Sequence, residues 1–528
     1  MAKEKHVIHD QTSLLPKKRL IIVFIGLASA LLTTCMDQNS IGVVLPTIGR
    51  ELNSAYTIVW AVTSSLIANT TFQALYGRLS DIFGRKPGRL LCGFAHSGPQ
   101  LYAFRGISGV TNCGIMALVM MIISDIVTLE KRGKYHGILG SCVGLRNTIG
   151  PFVAAAFTRS STWRGTFYFI APLAVLIAVL LFFLLPTQAI PPEPVINKLR
   201  KIDYSGIVLS SAGIIILLFP ISGLKPHFEV NSPMMISMIT IGGALLLGFF
   251  LNEWKFARLP MFPLRLFNNP ALAAMLIQSF LIGTVFYSLL YYLPIYYQSA
   301  RDMSLLTSAA LLIPIVIPQA IASALSGQYI SRVGWYREVI WLGYALWTIG
   351  ACLNLIFTRN LHIAAIVVIL VIEGTGVGLV FQPTLVAAQA HYSKEDRAVV
   401  ISARNFIRAL GGSAGLAIAS AIFSNSLIRN IPNDISTGTL NAIRDSIFDK
   451  PDVARLSRQQ RLGVLDAYVA ASRSVFYLWF GAITICLVLM VFIKDKGLKR
   501  AEDVERPPGP VKENSSLEGQ VHVAAHQK

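Results

Sequence analysis

The sequence predicts an all-α protein that crosses the membrane many times. Of its 528 residues, 54% are hydrophobic and only 14% are charged, and the mean hydropathy is +0.58. A soluble protein carries charge on about a quarter of its residues. Many windows of about twenty residues are almost free of charge, which is the length that an α-helix needs to cross the hydrocarbon core. We therefore expect a polytopic bundle of helices.

The charge balance agrees with this class. A net charge of +19, from 46 Lys and Arg against 27 Asp and Glu, would also suit a nucleic-acid partner. The cations, however, lie in loops and tails, where they are typical of cytoplasmic segments beside an anionic lipid surface, so we expect no nucleic acid. The six cysteines lie in apolar stretches without metal-ligand spacing. They are interpreted as free thiols, and no metal or cofactor is expected.

Fourteen candidate spans follow a polar tail, 1–18, that has no cleavable signal. An even number of spans leaves both termini in the cytosol, and the cationic segments 130–134, 197–201, 255–265, 332–337 and 394–397 then all fall on the inner side. The predicted spans are 19–47, 57–77, 88–101, 102–127, 135–158, 165–185, 204–224, 232–252, 270–298, 304–329, 337–357, 362–389, 398–424 and 471–494.

Two further segments are predicted to lie outside the bilayer. The outer loop 425–470 is long and polar, and its stretches 443–448 and 453–469 are amphipathic, so we expect short interfacial helices there. The charged tail 495–528 contains a Pro-Pro pair and is expected to be disordered.

A short motif lies between the second and third spans. It reads G-x-x-S-D-x-x-G-R-K and concentrates cations around one carboxylate; its members are Gly77, Arg78, Asp81, Gly84, Arg85 and Lys86. Charge alone would allow an ordinary inner loop. The ordered combination resembles the loop 2–3 signature of the major facilitator superfamily. Residues 327–334 repeat the seven-residue glycine spacing after a later span, which suggests two related halves.

Three of the charged residues within predicted spans are candidates for function, since an ionisable group in the bilayer needs a reason. Asp37 near the end of the first span is a candidate proton or cation site, although it could simply reach outer water. Glu373 is an acidic residue in the middle of a predicted second-half span, beside glycines that packing alone would explain. Arg105 is permanently charged and could modulate a neighbouring carboxylate; the alternative is an arginine extending to the interface.

A glycine-rich stretch in the fifth span adds to the resemblance. Gly140, Gly144, Gly150 and Pro151 form a smooth, bent helix face. With residues 163–172, this stretch resembles the antiporter motif of the same superfamily. Together with Asp37–Pro46, Arg105–Gly114 and Phe381–Pro383, the matches resemble the fourteen-span drug:proton antiporter branch, most similar to fungal toxin and multidrug efflux pumps.

The resemblance implies a major facilitator fold of two six-helix bundles with two inserted linker helices. The domains would be 1–18, the first bundle 19–186, a linker 187–258 with spans seven and eight, the second bundle 259–494, and the tail 495–528. It also implies proton-driven export by alternating access, with Asp37 binding protons or substrate, Arg105 relaying protons and Gly150-Pro151 setting the direction of exchange.

A set of polar and aromatic residues is expected to line the substrate cavity. For the tyrosines, the alternative is an aromatic belt at the membrane interface. The set comprises Asn39, Asn112, Tyr291, Tyr292, Tyr296, Tyr297, Gln298, Gln319 and Gln382.

The sequence departs from the family pattern in two places. Arg146 stands where a small residue is expected. Only residues 87–104 separate Lys86 from Arg105, which is too short for a third span, an outer turn and the start of the fourth. We expect a stunted third helix, with the outer turn at 97–100, because an internal piece is missing through alternative splicing or a gene-model error. The alternative is a short, stretched crossing with local thinning of the bilayer.

The leading function is therefore proton-coupled export of small hydrophobic or cationic compounds such as toxins, drugs or secondary metabolites, by a monomer in the plasma membrane in preference to the vacuolar membrane. One alternative is a vacuolar proton-coupled transporter of basic amino acids. Another is a transport-impaired form that lacks part of the third span. The sequence contains no P-loop or nucleotide fingerprint, so an enzyme or a directly ATP-driven pump is not expected.

Overall fold

The computed structural model describes residues 17–52, single positions between 58 and 71, and then 97–127, 129–160, 162–184, 203–222, 232–255, 267–391, 397–432, 435, 457–493 and 495. Every regular element in these ranges is a helix. The loop motif at 77–86 lies outside the described residues.

In the described part of the chain before residue 256, the helices with assigned bounds are α1 Lys17–Glu51, α2 Gly98–Ile126, α3 Leu129–Ser160, α4 Arg164–Leu184, α5 Tyr204–Ser222 and α6 Pro233–Lys255. We call α1–α4 the N-terminal helices. Helix α1 packs on α3 and α4, and α5 pairs with α6.

The later helices, called the C-terminal helices, are α7 Pro270–Ile295, α8 Leu305–Ala310, α9 Ile313–Val333, α10 Arg337–Leu353, α11 Ile363–Phe381, α12 Pro383–Ala390, α13 Arg397–Asn430 and α14 Arg458–Leu489. A π-helical turn, Tyr296–Ala300, extends α7, and a 3-10 turn, Asn354–Ile356, extends α10. The strongest packing pairs are α7 with α13, α9 with α11 and α10 with α11.

Eight helical stretches of the described residues are long and apolar enough to cross a membrane. They are 164–181, 233–255, 270–300, 306–333, 337–356, 363–390, 403–430 and 458–492. Helices α8 and α9 fall within one such stretch, and α11 and α12 within another. The total of fourteen spans remains a prediction.

The two parts of the chain meet mainly where α3 packs on α9. The close approach depends on glycine. A Cβ at Gly137 would lie 2.6 Å from the Ser323 carbonyl oxygen, and one at Gly133 would lie 2.9 Å from the Gly327 carbonyl oxygen. Ser141 adds a hydrogen bond across this contact, donating to the Ala320 carbonyl at 2.5 Å. Small residues thus bring the two backbones together, as in other membrane helix pairs.

Three predicted boundaries are wrong. Residues 98–101, assigned to the third span, form the first turn of α2. Pro99 is tolerated there because proline has no N–H and the first turn of a helix needs no N–H donor. Residues 88–96 of that span lie outside the described residues. The cationic segment 130–134 lies in the first turns of α3, and residues 327–333 are the last turns of α9, not loops.

The expected outer helices also differ. Helix α13 continues to Asn430, beyond the predicted end at 424, and α14 begins at Arg458. A capping box starts α14: the Ser457 hydroxyl accepts from the Gln460 N–H at 3.3 Å, and the Gln460 side chain accepts from the Ser457 N–H at 3.2 Å. Residues 458–469 therefore continue into the last span as one helix. The segment 443–448 lies outside the described residues.

Candidate functional site

The antiporter motif contacts the turn of α1 that contains Asp37. A Cβ at Gly150 would lie 2.9 Å from the Met36 carbonyl oxygen. The Ser40 hydroxyl donates to the Gly150 carbonyl at 3.0 Å and lies 2.5 Å from the Met36 carbonyl oxygen. Glycine at this position thus allows α3 to pack directly against the backbone beside Asp37. The side chains of Asp37, Asn39 and Pro151 lie outside the described residues.

Arg105 is buried in α2 and 1% exposed, which disfavours the interfacial alternative. Its Nε donates to the Ala61 carbonyl at 3.2 Å. Tyr291 of α7 lies within electrostatic reach of the guanidinium. Asn112, two turns further along α2, is also buried. The structure therefore places this permanent cation inside the protein, beside a C-terminal helix.

Gly140 of the motif faces the C-terminal helices. A Cβ there would lie 2.7 Å from Cγ of Gln382, and it would also clash with the Ser323 hydroxyl. Gln382 is 3% exposed and stands at the break between α11 and α12. Gly144 lies in α3 as well, but its surroundings are outside the described residues. The motif thus contacts α1 at one end and this break at the other.

The break between α11 and α12 frees a backbone acceptor. Pro383 has no N–H, and the Leu385 N–H bonds to the Gln382 carbonyl at 3.0 Å, so the Phe381 carbonyl loses its partner four residues on. Arg404 of α13 replaces that partner: its Nη2 donates to Phe381 O at 2.8 Å and to Thr384 Oγ1 at 2.7 Å. A broken helix lined by polar groups is typical of transporter substrate sites.

Arg404 is 2% exposed, and no carboxylate among the described residues pairs with it. Its Nε has no hydrogen-bond partner, and neither has Nδ2 of the adjacent Asn405, which is 3% exposed. Arg408, one turn on, stacks 4.7 Å from the Phe381 ring centroid and donates to Asn405 Oδ1 at 3.2 Å. Two cations and two unfilled donors therefore lie together, in a place where an anion would be stabilised.

The sequence analysis missed this group. Arg404 and Arg408 are four residues apart on a predicted span, so they share a helix face. That spacing of two arginines in an otherwise apolar helix was the available signal.

Glu373 is fully buried in α11, where glycine allows close packing: a Cβ at Gly350 of α10 would lie 2.7 Å from Glu373 Cβ. Asn354 donates from Nδ2 to Glu373 Oε2 at 2.9 Å. The Trp347 indole N–H lies beside the carboxyl without completing a hydrogen bond, and Oε1 has no partner. Among the described residues, a carboxyl in this setting has one hydrogen-bond donor and no cation to balance a negative charge.

The remaining cavity candidates are mostly packed into the C-terminal core. Tyr292 is 3% exposed and its ring centroid lies 5.4 Å from that of Phe423. Tyr296 donates to the Thr358 carbonyl at 2.8 Å, and Tyr297 is fully buried without a partner for its hydroxyl. Gln298 is partly exposed in the π-turn, and Gln319 is buried in α9. Their role in a cavity stays a prediction.

Comparisons with known proteins agree with this architecture. The family model described as Major Facilitator Superfamily matches residues 27–416. "Citrate exporter 1" of Yarrowia lipolytica is 46% identical, over 95% of this chain and 76% of its own length. "MFS-type transporter clz4" of Cochliobolus lunatus is 37% identical over 95% of this chain and 91% of its own, and "Efflux pump dotC" of Dothistroma septosporum is 30% identical over 78% and 73%.

Solved structures of transporters share the fold. The human organic anion transporter MFSD10 superposes with a TM-score of 0.57 at 16% identity, covering 90% of this chain and all of its own. The proton:xylose symporter XylE superposes with a TM-score of 0.58 at 12% identity, covering 92% and 98%. By family model, relatives and fold, the chain belongs to the major facilitator superfamily of multi-pass membrane transporters.

Proposed function

We propose that the protein is a proton-coupled exporter that moves small organic anions bearing carboxylates out of the cell by alternating access. Export is supported by the names of relatives, among them the citrate exporter and an efflux pump. The anionic substrate class rests on one observation: the guanidinium of Arg404 is buried beside unfilled donors and without a counter-ion among the described residues. Proton coupling is assigned to Asp37, Arg105 and Glu373, three of the charged groups within the apolar helices.

The same observation weighs against other cargo. An arginine buried without a counter-charge is costly, and a bound carboxylate would offset that cost with charge-assisted hydrogen bonds. A cationic toxin or a basic amino acid would instead add like charge beside Arg404 and Arg408. Organic acids are therefore the favoured substrates, and the hydrophobic or cationic compounds expected from the sequence are less favoured.

The membrane potential favours the export of an anion across a plasma membrane. An interior-negative potential favours outward movement of an anion by about 2.3 kcal/mol per charge per 100 mV. Voltage could therefore drive part of the flux, and proton coupling has to be measured with the pH gradient and the voltage imposed separately. We propose a monomer as the working unit.

The test uses the purified full chain in vesicles, with citrate as the probe and a cationic dye as comparison. Arg404→Gln removes charge-assisted hydrogen bonds worth about 2 kcal/mol, so the apparent affinity for citrate should fall about 30-fold. Arg404→Lys keeps the charge without the planar fork and should lose less. Arg337→Gln, at an exposed position, is the matched control and should behave as wild type.

Thermal unfolding of each variant separates loss of binding from loss of folding, since Arg404 also bonds to the α11–α12 break. Citrate transport by Arg404→Gln at the wild-type affinity would contradict the anion site. Absence of any transport by the wild type, with every probe, would instead favour the transport-impaired alternative.

A further inference from the structure

We infer that Glu373 and Asn354 form the proton-binding site of the C-terminal helices, separate from the anion site at Arg404, and that α11 links the two. This inference rests on the proposed proton-coupled export. It adds Asn354, Trp347 and Tyr297 as the groups that build the site around the carboxyl.

The geometry of the cluster shows what it can bind. Four buried polar atoms have no hydrogen-bond partner: Glu373 Oε1, Asn354 Oδ1, Trp347 Nε1 and Tyr297 OH. Glu373, Asn354, Trp347 and Tyr297 are all fully buried. At Arg404 and Asn405 the unfilled atoms are donors, whereas the Glu373–Asn354 pair leaves two oxygen acceptors unfilled. Two unfilled acceptors, with no cation beside them in the described part of the chain, suit a proton on the carboxyl.

The charged groups around the cluster leave the carboxyl without a counter-ion. From α7 and its π-turn, Tyr297 and Arg301 approach, but Arg301 interacts with Tyr296 and Tyr297 and forms no ion pair with Glu373 among the described residues. Arg473 of α14 donates to the Phe357 carbonyl at 3.1 Å.

The remaining neighbours add no charge. Helix α10 contributes Asn354 and Trp347, neither of which titrates. Helix α9 meets α11 through the backbone of Ile315 and Gln319. The enclosed carboxyl is therefore neutral in this arrangement, because a buried charge without a partner is strongly disfavoured.

The position of the cluster fits proton entry from outside. Arg332 and Arg337 flank the other end of α10, which places the Asn354 end toward the outer face. The π-turn Tyr296–Ala300 lies beside it, and such turns recur at functional sites. A proton arriving from the outer side would reach Glu373 before it reached the α11–α12 break.

Helix α11 connects the two sites physically. Glu373 and Gln382 are nine residues apart, or about 13 Å along one helix. Between them, a Cβ at Gly376 would lie 2.8 Å from the Gly343 carbonyl oxygen, and one at Gly378 would clash with the Gln319 carbonyl. A shift of α11 when Glu373 gains or loses its proton would therefore move the break to which Arg404 bonds.

The experiment compares two transport modes of the full chain in vesicles, again with citrate as the probe. We expect Glu373→Gln to keep citrate exchange at equal pH on both sides and to lose accumulation driven by an imposed pH gradient. Glu338→Gln, the same change at an exposed position of α10, should retain both modes. An unchanged ratio of gradient-driven to exchange transport in Glu373→Gln would overturn the inference.

Two further measurements test the proton site, and the first of them does not depend on the proposed substrate. The protonated carboxyl should give a carbonyl band in pH-difference infrared spectra that disappears in Glu373→Gln; persistence of every such band would overturn the inference even if citrate is not transported. Asn354 is a positioning residue, so Asn354→Ala should shift the pH at which gradient-driven transport is half-maximal. An equal loss of rate at every pH would instead contradict that role.

Discussion

At the level of single residues, burial separates the charged side chains that are candidates for function from those on the surface. Arg105 and Arg404 are both nearly inaccessible, whereas Arg337 at a helix start is exposed. Arg105 stood out in the sequence as a permanent cation within a predicted span, whereas Arg404 fits the same description but was not predicted. Glu373 was recognised as an acid in an apolar span, but its partner Asn354 is nineteen residues away and on another helix. Such pairs are contacts of the tertiary structure.

In the N-terminal helices, the prediction concerns Asp37, the proposed proton-binding residue of α1. Asp37→Asn should abolish proton-driven export while the protein still inserts, because the side chain can no longer bind and release a proton. The measurement is gradient-driven citrate accumulation in vesicles, with membrane insertion checked by the yield of folded protein. Wild-type accumulation rates in this variant would remove Asp37 from the coupling mechanism.

At the scale of elements, helix ends were the least predictable feature. Residues 327–334 have the glycine spacing of a loop motif, yet Gly327 lies inside α9 and only Gly334 ends it. Gly334 has a φ of 83°, and its N–H bonds to the Ile330 carbonyl at 2.9 Å. A left-handed residue of this kind commonly terminates a helix, and glycine takes it without strain.

Gly334→Ala should therefore destabilise the protein by about 1 kcal/mol, since a side chain is disfavoured in the left-handed region. Gly481→Ala in α14 is the matched control: no atom lies within 4 Å of the added Cβ, so the change should be neutral or slightly stabilising. Thermal unfolding in detergent compares the two. Equal stability of both variants would contradict the capping role.

At the scale of the whole molecule, the contact between α3 and α9 joins the N-terminal and C-terminal helices. Gly327 packs on Gly133 and Gly137 so closely that an added Cβ would clash with backbone. The cationic residues at the start of α3 and the end of α9 predict that this contact faces the cytosol. Alternating access requires such a contact to form and separate in each cycle.

Gly327→Val should consequently block the cycle by preventing this approach, and citrate export should fall at least about tenfold, the effect of roughly 1.4 kcal/mol. Gly106→Val is the control, because no atom lies within 4 Å of its added Cβ. Export of citrate and binding of citrate to the purified variant are both measured, because the block should stop export and leave binding intact. Export at the wild-type rate would show that α3 and α9 need not approach this closely.

The sequence by itself determined the class of the protein and its family. Long uncharged windows leave few alternatives to membrane helices, because every backbone group in lipid must be bonded within its own helix. Short motifs fixed by backbone requirements, such as Gly140 and Gly150, carried the resemblance that the family match confirmed. These features depend on neighbouring residues, so they can be recognised along the chain.

Only the tertiary structure decided which distant side chains act together. It joined Arg404 to the Phe381 carbonyl that the Pro383 break left free, and it enclosed Glu373 between Asn354 and Trp347. The helix starts at Gly98 and Arg458 follow local signals instead, Pro99 in the first turn and the capping box of Ser457 and Gln460. The physical reason is that hydropathy reports how strongly each residue avoids water, whereas the pairing of buried polar atoms depends on how the helices rotate and cross.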